Sequence, residues 1–178
     1  MRLQLDTKQQ TGPVPYMFRA GVFVGSLPIG YPKEKFFSDQ RPGMLQLSWQ
    51  VHAPLVNAAT EQEFFARLPE SNLTAWVRAA AAAGAEPHIL LMPIPRWLRS
   101  GGEGGRHKLP ADLPGWERFV QRIVDYYNNE LKIDARYVVW DEPNVFFEGT
   151  TNDYLLIYKH AAAGLLRANP KARIGGAA

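Results

Sequence analysis

Cysteine is absent from the 178 residues. Disulfides and thiolate metal sites are therefore excluded. Clustered positive charge is missing too: 20 Lys and Arg stand against 17 Asp and Glu, for a net charge of +3, and the cations are scattered. A phosphate-binding face needs cations grouped on one surface, so no nucleic-acid partner is expected. No apolar run reaches the ~20 residues of a membrane-spanning helix, so no membrane partner is expected, and Met1 to Gln10 lacks the apolar centre of a signal peptide. His88, His107 and His160 are well apart, no pair of them at metal-ligand spacing; they read as structural or surface residues, and neither a metal nor a cofactor is expected. What is present is ordinary globular material, 46% hydrophobic and 21% charged, of a length that suits one domain.

Residues 1–17 are polar and then rich in Pro and Gly, an irregular lead-in. Residues 18–24 read as a first strand. Residues 28–43, broken by Pro32 and Pro42, read mostly as loop with one helical turn near 34–37. A second strand is expected over 45–51 (LQLSWQV), with a loop from His52. The period then changes: Leu73, Trp76, Val77 and Ala80 recur at helical spacing behind a Ser71/Asn72 cap, and Gly84 suits the left-handed residue that ends a helix. A short strand over 88–92 (HILLM) is stopped by Pro93 and Pro95. Trp116, Phe119, Val120, Ile123, Val124, Tyr127 and Leu131 mark an amphipathic helix. Residues 136–140 (RYVVW) form the next strand, Tyr154 to Leu166 another helix ended by Asn169-Pro170, and 173–178 a last strand.

Short apolar strands alternating with helices imply parallel pairing through right-handed crossovers. A doubly wound nucleotide-binding sheet would carry a Gly-rich fingerprint between its first strand and a helix, and none stands there. The GGEGGR stretch at 101–106 is separated from its strand by Pro93 and Pro95 and opens no helix, so it reads as a loop. The expected fold is α/β, a (β/α)8 TIM-type barrel. Eight strands and about 250 residues make a whole one. Residues 1–178 are therefore expected to be a partial barrel of about five strands, truncated within the fifth.

The sharpest chemical feature is YVVWDEPN at 137–144, where an apolar strand delivers Asp141 and Glu142 to its carboxyl end and Pro143 stops it. Catalytic groups of barrels gather at that end. Residues alternate sides along a strand, so the two carboxylates aim apart unless the strand twists or bulges there. A carboxyl at such a rim, beside Trp140, loses hydration, which raises a carboxylic acid's pKa and suits a proton donor. The alternative for Glu142 is a structural carboxylate paired with an arginine, and for Asp141 a wall residue bonded to backbone amides. Trp49 and His52 close the second strand and Trp97 follows the third; each is a candidate for sugar contact or for packing. Trp140 has the same two readings, and Asn144 fixes the turn or meets substrate.

This stretch resembles the W-N-E-P-N motif of clan A glycoside hydrolases, most closely glycoside hydrolase family 39. GAEPHILLMPIPRWL at 84–98 is similar to that family's third strand and following loop, 113–127 to the helix before its acid/base strand, and 144–178 to the segment running to its fifth strand. The resemblance implies an O-glycosidase with a carbohydrate substrate and a retaining mechanism, in which Glu142 is the general acid/base. It implies a nucleophile Glu on a seventh strand, which no residue of this chain matches, so the segment alone is expected to be inactive. It also implies a sugar contact for a histidine after the second strand, the position of His52, though SWQVHAP matches poorly. One position departs: the family's Asn before the acid/base is Asp141 here. An ionised Asp only accepts hydrogen bonds, and its charge opposes ionisation of its neighbour. That departure supports a second reading, a non-catalytic carbohydrate-binding or degenerate barrel.

Overall fold

A computed structural model describes residues 21–23 and 33–176. Among them, five strands form one sheet in the order β1 (Gly21–Phe23), β2 (Met44–Ser48), β3 (Glu86–Leu90), β4 (Arg136–Val138) and β5 (Arg173–Gly175). Every neighbouring pair is parallel. Spatial order follows chain order without reversal, so there is no switch point of the kind that splits a doubly wound sheet. This is the winding of a (β/α) barrel. The ends of the first and last expected strands, at 18–20, 24 and 177–178, and the lead-in at 1–17 lie outside the described residues.

The register sorts the sheet into rows. Leu47, Ile89 and Tyr137 stand side by side and are fully buried beneath the helices. One residue earlier, Gln46, His88, Arg136 and Arg173 form a row on the opposite face. Glu86, on that same face, ties it together: its carboxylate meets Arg136 at 2.9 Å, Arg173 at 2.6 Å and His88 at 3.0 Å.

The helical layer follows the apolar spacing. In α4 (Asn72–Ala82) the Ser71 hydroxyl accepts from the Thr74 amide at 3.1 Å, Leu73, Trp76, Val77 and Ala80 are buried, and Gly84 has φ 73°. In α5 (Leu113–Val124) Asp112 caps Gly115, and Trp116, Phe119, Val120, Ile123 and Val124 face inward. The expected helix through Leu131 continues past Val124 as a π-turn, Asp125–Glu130, which keeps Tyr126 and Tyr127 buried. The last helix, α7 (Thr151–Ala168), opens with a capping box between Thr150 and Asp153. It packs on α5: Trp116 Nε1 donates to the Ile157 carbonyl at 3.2 Å, and Glu117 pairs with His160 and Arg167. Among the described residues no helix is long and apolar enough to cross a membrane.

Four expectations need correction. Residues 33–40 form a full helix, α1 (Lys33–Gln40), because Phe36 packs edge-on against Trp76 at 5.4 Å and Phe37 packs tilted against it at 6.0 Å. The expected loop after His52 holds two helices, α2 (Ala53–Val56) and α3 (Glu61–Arg67). Thr60 caps α3 at the Glu63 amide, and the Glu63 carboxylate turns back to the Ala59 amide. The second strand stops at Ser48, not 51: Trp49 enters a 3-10 turn and its Nε1 donates to the Pro93 carbonyl at 2.9 Å. The fourth strand stops at Val138, two residues short of Trp140.

The α5–α7 contact turns on Gly164, where an added Cβ would stand 2.2 Å from the Glu117 carbonyl oxygen. Forcing the helices apart costs about 1–3 kcal/mol. Gly164→Ala should lower stability by that amount in chemical denaturation; an unchanged midpoint would mean that the helices do not meet here.

Candidate active site at the end of the fourth strand

Beyond Val138 the chain leaves the ladder but stays buried. The Leu91 amide donates to Val138 at 2.8 Å, the Val139 amide to Gly175 at 3.2 Å, and the Tyr154 hydroxyl to the Val139 carbonyl at 3.1 Å. Strands three and five and helix α7 thus hold the last turn of backbone before the carboxylates. Trp140 then adopts φ 71° and Glu142 φ 39°, both left-handed. For residues other than glycine this backbone costs about 1–3 kcal/mol each and persists where the surroundings enforce it, often at functional sites.

Packing supplies the enforcement. The Trp140 side chain is completely buried, edge-on to Phe147 at 5.1 Å and to His107 at 5.9 Å. The loop after β3 closes on the turn: His107 Nδ1 donates to the Phe146 carbonyl at 3.0 Å, the Glu148 amide donates to the His107 carbonyl at 2.7 Å, and Lys108 lies 3.7 Å from Glu148. Burial lowers the His107 pKa, partly offset by the Phe146 carbonyl. Gly105 lets that loop fold tightly, since a Cβ there would fall 2.0 Å from the Ser100 carbonyl oxygen. The Trp140 Nε1 is buried without a hydrogen-bond partner among the described residues.

Strand alternation does not govern the two carboxylates, because neither lies in the strand. Asp141 is half-buried and Glu142 is exposed at the head of a short helix, α6 (Pro143–Phe146). Desolvation falls on Asp141: burial raises its pKa, and the neighbouring charge of Glu142 raises it further. Asn144 is exposed on α6.

The remaining candidates do not join this group. Trp49 is only 1% exposed and packs with Phe64 and Phe119; Trp97 packs against the same two rings. The Trp49 ring packs in the core, the second of its two readings. His52 lies in a groove of about 580 Å³ with Pro54, Leu55, Arg67 and Ser71. Burial pushes its imidazole down to about 4, so it is neutral at neutral pH. His107, read from the sequence as a structural or surface residue, helps shape the turn, as does Phe147, which the sequence reading did not single out. The Gly-rich stretch before His107 was the available signal.

The architecture is thus an α/β barrel-type fold with a carboxylate pair at the carboxyl end of its fourth parallel strand. No protein-family model matches the chain. In sequence it is similar to a beta-xylosidase of Caldicellulosiruptor saccharolyticus, 29% identical over 108 aligned residues that take in 53% of this chain and 22% of that protein. In fold it is similar to a monomeric beta-xylosidase from Caulobacter crescentus CB15 (TM-score 0.63, 18% identity, 97% of this chain and 38% of that one). A GH39 beta-xylosidase from Caulobacter crescentus gives 0.61 at 16% identity, covering 97% and 42%. A glucosidase from Croceicoccus marinus gives 0.57 at 17%, covering 81% and 32%. The chain spans about a fifth of the curated relative and about a third to two-fifths of these structures.

The raised Asp141 pKa sets the sign of a pH effect. Its ionised form is disfavoured in the folded state, so the stability it contributes is present below 3.8 and lost as pH rises through the raised value. Asp141→Asn should therefore gain thermal stability over the parent at neutral pH, and the gain should shrink well below pH 3.8. A gain that grows on acidification would contradict this environment.

Proposed function

We propose that the protein containing this chain is a retaining glycoside hydrolase built on a (β/α)8 barrel, that residues 1–178 contribute its first five strands, and that Glu142 is its general acid/base. The observation that carries the reading is the strained turn after β4, which exposes a carboxylate at the catalytic end of a parallel sheet. In the first step the Glu142 carboxyl gives its proton to the glycosidic oxygen as a second carboxylate, about 5 Å away, attacks the anomeric carbon. In the second, Glu142 takes a proton from water, which displaces the sugar from that carboxylate. The second carboxylate belongs to residues beyond this chain.

The departure at Asp141 has a physical answer. A raised pKa keeps its carboxyl protonated further up the pH scale, and a protonated carboxyl donates a hydrogen bond where an amide would. Asp141 can then donate to a sugar hydroxyl at acidic pH. The names of the relatives make β-xylosides the first substrates to try. The Asp at the amide position also favours a second reading, carbohydrate binding without turnover.

In the full-length protein, Glu142→Gln should cut kcat/KM for a glycoside with a poor leaving group by about 10²–10⁴-fold, and should spare kcat/KM for an activated aryl glycoside far more, while kcat on the latter falls because water then attacks without its base. Unchanged turnover on both would end the assignment. Saturable binding of a glycoside that the unaltered protein never cleaves would establish the second reading.

A further inference from the structure

Glu142 stands between two residues that one side chain touches. His107, in the loop after β3, lies edge-on to Trp140, two residues before Glu142, with ring centroids 5.9 Å apart. The same imidazole donates from Nδ1 to the carbonyl of Phe146, four residues after Glu142, at 3.0 Å. Phe146 in turn donates its amide to the Glu142 carbonyl at 2.9 Å, beside the Val145 amide at 2.8 Å. A single ring therefore meets the chain on both flanks of the carboxylate-bearing residue. On the second flank only Phe146 lies between that ring and the Glu142 backbone.

The Glu142 side chain has no such hold of its own. Among the described residues it makes no hydrogen bond or ion pair, and it gives α6 no side-chain cap. Its direction is set by its backbone, at φ 39° and ψ 62°, a conformation that persists only where the surroundings enforce it. His107 is fixed well enough to enforce it. Its bond to a carbonyl places the proton on Nδ1, and a neutral imidazole has only that one N–H. Its own carbonyl accepts from the Glu148 amide at 2.7 Å, so two hydrogen bonds clasp the chain on either side of Phe147.

We propose that His107 is a positioning residue for the general acid/base: it fixes the turn from Trp140 to Phe146 so that the Glu142 carboxyl meets the glycosidic oxygen. The inference rests on Glu142 being the proton donor. It asks more of His107 than packing. Catalysis by a placed group depends on geometry, and an offset on the order of 1 Å can cost about 100-fold. A misplaced acid harms only the step that needs its proton. A leaving group that departs readily as an anion needs little help from Glu142, and a poor one needs much. Loss of His107 should therefore resemble a partial loss of the acid, not a general weakening of the barrel. His107 itself gives and takes no proton in the reaction.

The test uses the full-length protein and a series of aryl glycosides of graded leaving-group acidity, read in kcat/KM, which reports the first step. His107→Leu removes the donor and keeps an apolar body against Trp140. It should lower kcat/KM for the poorest leaving groups by roughly 10–100-fold and cost the best ones far less, which steepens the dependence on leaving-group acidity. His107→Asn sets an amide N–H near the place of Nδ1 and should recover most of the loss. His107→Gln carries its amide one bond farther out and should recover less. A purely structural histidine would lower the thermal midpoint and leave the slope alone. A parental slope in His107→Leu, or an equal loss across the series, overturns the proposal. Should the leucine variant fail to fold, the Asn and Gln variants decide alone, and equal slopes in those two overturn it. Glu142→Gln separates the two ideas, since it should steepen the slope in the otherwise unaltered protein. If the slope stays parental there, the acid/base reading fails and the role of His107 falls with it. If it steepens there and stays parental in His107→Leu, only the positioning role fails.

Discussion

The buried indole of Trp140 is the constraint on which the candidate site depends. It follows a strand that has already stopped pairing, and it must enter the core from a left-handed backbone. That geometry and the left-handed Glu142 each cost about 1–3 kcal/mol. Burying a large side chain returns roughly 1.5–3 kcal/mol, and the edge-on contacts with Phe147 and His107 add to it. The gains match the costs only because the loop after β3 lies over the turn. Without that loop the backbone of 140–142 would relax, and the orientation of the exposed carboxylate would go with it.

The rest of the fold serves this turn in a definite order. Parallel strands in chain sequence put each following loop at the same end of the sheet. The loops after β3 and β4 are neighbours for that reason, and their contact through His107 is a consequence of the winding. Helix α7 holds the backbone just past β4 through the Tyr154 hydroxyl, and α5 packs in turn on α7. On the other face, Glu86 gathers His88, Arg136 and Arg173 near the amino ends of the strands, far along the strands from the carboxylate pair. A fold of this kind hosts many chemistries, so the functional argument belongs to the turn itself.

Much of the scaffold was legible from periodicity. Leu73, Trp76, Val77 and Ala80 recur with the helical period, and those positions are buried. Alternation over Leu45 and Leu47 marked a strand face. Helix α1 was hidden because Pro32 and Pro42 flank it and its order comes from the distant Trp76. Helix α3 carried a readable cap at Thr60 and Glu63 that went unused. At the site, the Asp-Glu pair and Pro143 marked the right place, but strand alternation was the wrong rule for it. Positive φ at Trp140 and Glu142 leaves no trace in a composition of ordinary L-residues, and the clasp by His107 joins segments more than thirty residues apart.

The central claim is that the residue held out by this turn acts as acid and base in a double displacement. Azide rescue tests it most directly. In the full-length protein with Glu142→Ala, azide should accelerate turnover of an activated aryl β-glycoside and yield a β-glycosyl azide, because the small anion needs no base and attacks from the face that water uses. No acceleration by azide, or an α-configured product, would contradict the account.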